Sequence, residues 1–199
     1  PDENNLTEIF LDHDPASFSA TPQAFLEVCC AHEFFHAFQL TQPADLRDLA
    51  FLEATAVWAE SQIYPETRDW VSRYLPAWLS TIELPLDESD GAREYGAALL
   101  VSYLLDRNPS LHPLTQVFSG PTVGGEAWWT FLNLLSIDAQ RHYLCCLRDL
   151  FLLSAGFDQS PLAADLLGLD AEDLRILTLE PVAELLELEC EDPLHQAQE

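Results

Sequence analysis

Apolar residues recur along most of this chain at the three- and four-residue spacing of a helix face, and prolines punctuate the runs. Thr21-Pro22 reads as a helix start, with a threonine cap and a proline at the first helical position, where its missing N–H costs nothing. That helix is expected to run to about Leu40, because Pro43 stops it. A second helix is predicted from Asp45 to about Ile63, with Leu46, Leu49, Ala50, Ala54, Val57 and Trp58 on its apolar side and Pro65 closing it. A third, from about Thr67 to Leu79, is interrupted at Pro76. The polar loop from Glu83 to Gly91 is expected to be a solvated turn, and a fourth helix fits Ala92 to Asp106. Helical patterns return at 125–135, 138–155 and 161–168, while 178–189 fits helix or strand and residues beyond 191 are expected to be a loose tail. Only Thr7 to Asp12 alternates as a strand, with Ile9 and Leu11 on one face. The expected architecture is a single, mainly helical domain over residues 1–191 with a little strand near its start, followed by a tail at 192–199.

Composition narrows the function classes. The 199 residues carry 8 basic side chains, all arginine, against 34 acidic ones, a formal charge of −26. Hydrophobic residues at 48% and aromatic residues at 11% supply a real core, so the acidity is not that of a disordered tail. So strong a negative charge argues against nucleic acid or an anionic membrane surface as partner, since both need a basic face. No positively charged leader and no apolar run of about 18 residues occurs, so neither a signal peptide nor a membrane span is visible in this chain. The start at Pro1 reads as that of a fragment or a processed chain. The five cysteines, two adjacent pairs and Cys190, read as buried apolar thiols, with a structural site built on Cys29 and the histidines as a remote alternative.

Candidate chemistry centres on His32-Glu33-Phe34-Phe35-His36, an H-E-x-x-H inside the first predicted helix. Histidines four apart are separated by about 40° around a helix and one turn along it, so both imidazoles can reach one metal ion from the same side. Glu33, next to the first histidine, is placed to hold a water on that metal. A catalytic zinc needs a third protein ligand, and the second helix offers Glu53 among Leu52, Ala54 and Ala56, where a carboxylate is costly to bury without a cation. Glu60, two turns further on the same side, either orients the site from behind or is an exposed acid or one that meets the N-terminal strand. His13, His112, His142 and His195 show no ligand spacing. Trp128-Trp129 is expected to fill core, and no serine has a G-x-S-x-G context.

These segments resemble the gluzincin clan of zinc metallopeptidases, in which H-E-x-x-H is followed on the next helix by E-[GA]-x-A-x-x-x-E. The nearest resemblance is to a poorly characterised group of bacterial metalloproteases. It is carried by His32 to Gln39, by Glu53 to Glu60, by Tyr64-Pro65-Glu66 followed by Trp70 and Tyr74-Leu75, and by Glu94-Tyr95-Gly96-Ala97 followed by Tyr103-Leu104. It spans residues 8 to 107. Ala54 stands where the motif often has glycine, and only about twenty residues precede the first helix, so much of the family's N-terminal sheet is expected to be missing or small. The resemblance implies an α+β zincin-like fold and zinc held by His32, His36 and Glu53. It implies peptide-bond hydrolysis by a metal-activated water, with Glu33 as general base and a peptide or protein as substrate. Tyr95 is the candidate oxyanion donor, with Tyr103 as second choice. Export from the cell is mildly favoured by the same resemblance. The competing expectation, motivated by the short sheet and the acidity, is a catalytically inactive zinc-binding or protein-interaction module on the same fold.

Overall fold

The computed structural model describes residues 9, 21–42, 48–67, 69–82, 84–107, 112–120, 127–135 and 146; these are mostly helical, and no strand occurs among them. The strand expected at 7–12 lies outside them except for Ile9, which is exposed and in no regular element. The helices expected at 138–155 and 161–168, the segment 178–189 and the tail also lie outside them, apart from Cys146, which is helical and buried. By internal contacts the chain divides into two units, Pro1–Leu135 and Ser136–Glu199, and the description below is of the first.

Helix α1 (Pro22–Thr41) starts as its sequence predicts: the Thr21 hydroxyl accepts from the Ala24 N–H, and Pro22 occupies the first turn. Its buried positions are Phe25, Val28, His32 and Gln39, steps of three, four and seven residues that trace one face. Helix α2 (Leu49–Ile63) begins at Leu49 rather than Asp45, because Asp48 is its cap. One Asp48 oxygen accepts from the Phe51 N–H at 3.0 Å, and the other accepts from the Trp128 N–H at 3.3 Å. A single carboxylate thus serves the first turns of two helices, the second contact reaching 80 residues along the chain, and burial pushes it above the usual carboxylate range.

The expected third helix is two pieces, α3 (Asp69–Arg73) and α4 (Leu75–Ser80). The break falls at Tyr74, two residues before Pro76, so that the proline sits in the first turn of α4, where it blocks no helical hydrogen bond. The fourth helix is likewise divided, into α5 (Arg93–Gly96) and α6 (Ala98–Arg107). A helix not foreseen, α7 (His112–Ser119), precedes α8 (Ala127–Leu134). Among the described elements α2 is central: α1 packs on it, α5 and α6 pack on it too, α4 lies against α5, and α7 pairs with α8. Phe51 of α2 ties α7 and α8 to this centre, with ring centroids 6.0 Å from Phe118, 5.2 Å from Trp128 and 5.6 Å from Phe131. Trp128 fills core as expected, but Trp129 does not: it is 62% exposed.

The loop before α5 is more than a solvated turn. The side chains of Asp87, Glu88 and Asp90 are exposed. The backbone beneath them is held by the buried Arg93 guanidinium, which donates to the carbonyls of Glu88 and Leu84, both at 2.9 Å, and to the Thr81 hydroxyl at 3.2 Å. Glu94 accepts from the N–H of Gly91 at 2.9 Å and of Asp90 at 3.1 Å. Among the described residues no helix is long and apolar enough to cross a membrane.

Candidate metal centre

The paired packing of α1 and α2 brings His32, His36 and Glu53 together, as their spacing predicts, with all three candidate ligand atoms within 4.8 Å of one another. His32 Nε2 lies 3.0 Å from Glu53 Oε2, His36 Nε2 lies 3.2 Å from the same oxygen, and the two Nε2 atoms are 2.9 Å apart. Three electron-rich atoms at such separations need positive charge between them, either protons or a cation. Tetrahedral donors bonded at about 2.0–2.1 Å sit about 3.3 Å apart, so the triangle is close to the size a small metal ion imposes. His32 and Glu53 are each only 9% exposed, which keeps competing water away. The residues present therefore fit a metal ion, with two neutral nitrogens and one anionic oxygen offered from two adjacent helices.

The outer ring nitrogens are also held. His32 Nδ1 meets the carboxylate of Glu60, which is buried rather than exposed. His36 Nδ1 meets the side-chain oxygen of Gln39 at 2.6 Å. Gln39 was not among the expected site residues. The available signal was a polar side chain at a core position of α1, three residues after His36. Burial pulls the His32 pKa down, but the carboxylates of Glu53 and Glu60 outweigh it and lift it to about 9. Burial pushes Glu53 up, and the two imidazoles override that and draw it down to about 2. His36 is raised as well, against its burial, by Glu53 and then Gln39. In the metal-free protein the carboxylates of Glu53 and Glu60 thus favour a proton on His32, and Glu53 stays ionised beside it.

Beside the triad lies a cavity of about 160 Å³. His32, Glu33, Glu60 and Tyr95 border it, and Phe25, Val28, Val57, Trp70 and Tyr74 provide its apolar and aromatic walls. Glu33, half-buried on α1, therefore fronts open space next to the candidate ligands rather than facing solvent on the far side of the helix. Tyr95 on α5 stacks over His32 with centroids 5.9 Å apart and over Tyr74 at 4.6 Å. Burial, and after it the neighbouring Glu53 carboxylate, push its hydroxyl pKa upward, so it stays protonated and keeps a hydrogen to donate. Tyr103 lies buried in α6, 1% exposed. Of the cysteines, Cys29 borders the cavity, Cys146 is buried and Cys30 is exposed, contrary to the expectation of buried thiols throughout.

Comparison with protein-family models, with curated proteins and with solved structures finds no match. The candidate centre is accordingly characterised by its donor atoms, their burial and the cavity they border.

Proposed function

We propose that this chain is a zinc metallopeptidase that hydrolyses peptide bonds, with a gluzincin-like α+β fold whose N-terminal β-sheet is small or truncated. The observation that carries the reading is the convergence of His32 Nε2, His36 Nε2 and Glu53 Oε2 beside a cavity bordered by Glu33. His32, His36 and Glu53 would hold the ion. Zinc, when bound, supplies Lewis acidity toward a carbonyl and makes water a stronger acid near neutral pH. Glu33 takes a proton from the attacking water and hands it to the departing amine. The protonated Tyr95 hydroxyl donates a hydrogen bond to the carbonyl oxygen as charge develops there, a contribution of about 3–4 kcal/mol for such donors. Glu60 and Gln39 keep the two imidazoles turned toward the shared site. The apolar cavity walls exclude bulk water and receive part of the substrate.

The purified protein is expected to hold about one zinc per chain by elemental analysis, in line with one three-ligand site, and to cleave a peptide library. Glu33→Gln should retain the metal and lose cleavage. Equal cleavage by wild type and Glu33→Gln overturns the mechanism. Zinc binding without turnover on any peptide would instead favour the inactive zinc-binding module.

A further inference from the structure

His36 is held by a group whose identity is settled by what surrounds it. The Gln39 amide is buried, 3% exposed, and its two ends face different helices. Its nitrogen lies 3.1 Å from the Leu52 carbonyl oxygen, which can only accept. The same nitrogen lies 2.9 Å from the Thr55 hydroxyl, whose own proton is donated to the Phe51 carbonyl at 2.8 Å. Both acceptors demand the NH₂ end, so the amide oxygen is the end that faces His36 Nδ1 at 2.6 Å. An amide oxygen only accepts, so His36 Nδ1 carries the hydrogen. The lone pair of the neutral ring is then on Nε2, the atom 2.9 Å from His32 Nε2 and 3.2 Å from Glu53 Oε2.

We propose that Gln39 is a positioning residue of the metal centre: its amide, anchored to α2 through Leu52 and Thr55, fixes His36 in the tautomer and ring orientation that present Nε2 to the metal. Leu52 and Thr55 flank Glu53 in sequence, so one side chain ties the second histidine to the very turn of α2 that bears the carboxylate. The two imidazoles are supported unequally. His32 has an anionic partner in Glu60, whereas His36 has a neutral one that spends both donor hydrogens on the opposite helix. The proposal rests on the metal-centre reading above, and its test separates the two.

Zinc affinity is measured first on the wild-type protein by competition with a chromophoric chelator. If the wild type binds no zinc, the metallopeptidase reading fails and this proposal with it. Given binding, Gln39→Met, which keeps length and removes both ends of the amide, is expected to weaken zinc by about 10- to 100-fold, the usual cost of losing such support. Gln39→Glu keeps an acceptor for Nδ1–H but loses both donors to α2, and is expected to lose clearly less affinity than Gln39→Met. A merely structural Gln39 would make the two variants lose affinity alike, which overturns the proposal while leaving the metal site standing. Nitrogen-15 NMR of zinc-loaded wild type gives a check independent of any variant's folding: His36 should be metallated at Nε2 and protonated at Nδ1. Metallation through Nδ1 overturns the assignment.

Discussion

At the scale of single residues, the triad was legible because helix geometry puts His32 and His36 on one side of α1 and a carboxylate among Leu52, Ala54 and Ala56 calls for a cation; the packing of α1 on α2 makes Glu53 their neighbour. Gln39 was not legible as a functional group, because a buried glutamine in a helix reads the same whether it fills space or holds an imidazole; only the positions of Leu52 and Thr55 separate the two. The pKa pattern leads to a prediction. In the metal-free protein His32 is lifted from 6.5 to about 9, so the stability it gives is complete below 6.5 and disappears as pH rises through about 9. Glu53, drawn from 4.5 to about 2, contributes above 4.5 and stops contributing as pH falls through about 2. A metal must displace the proton that His32 holds, so apparent zinc affinity should climb from pH 6.5 toward about 9 and level off there. Glu60→Gln removes a charge that holds the proton, so its rise should begin at lower pH. Its plateau should sit about 10-fold or more below wild type, because the ring loses its carboxylate support. Calorimetric titration across this range checks both; a flat wild-type profile would show that no proton leaves on binding.

At the scale of elements, α1 and α2 were predicted nearly to the residue at their proline-marked ends, since capping and proline chemistry are local. The interruption of the third helix, expected at Pro76, falls two residues earlier at Tyr74, and the division at Ala97 and the helix α7 were not foreseen. Pro76 could have kinked a helix as easily as started one, and the close packing of α5 against the Tyr74–Trp78 region is a tertiary fact. Gly96 records that packing: an added Cβ would lie 2.5 Å from the Tyr74 carbonyl oxygen and 2.7 Å from Trp78 Cβ. Neither atom belongs to a flexible tip, so Gly96→Ala must push α5 away from α3 and α4. The expected cost is about 1–3 kcal/mol by chemical denaturation. Because Tyr95 precedes Gly96 and stacks on Tyr74, the variant should also lose turnover while zinc content stays at the wild-type level. A variant as stable and as active as wild type would mean that the Tyr74–Tyr95 contact neither needs the glycine nor positions the tyrosine.

At the scale of the whole molecule, the −26 charge read as composition names no group, and the site shows where a few acids leave that surplus. Glu53 and Glu60 are buried against imidazoles, Glu94 against backbone N–H groups, and Asp48 against two helix starts. Asp87, Glu88 and Asp90 remain exposed and repel one another and the rest. Such self-repulsion opposes the compact state and is screened over about 8–10 Å at physiological salt. The same field favours a divalent cation at the triad. Bound zinc should therefore stabilise by mass action, about 2.7 kcal/mol at a hundredfold excess over the dissociation constant, with the acidic field lowering that constant. That contribution of the field comes from distant carboxylates, so at a fixed zinc concentration it should fade with salt. Thermal unfolding of the metal-free protein should shift upward as sodium chloride is added, and the further shift produced by a fixed zinc concentration should shrink. If the zinc increment is the same at low and high salt, the ion is felt by His32, His36 and Glu53 alone, and the acidity of the remaining surface plays no part in holding it.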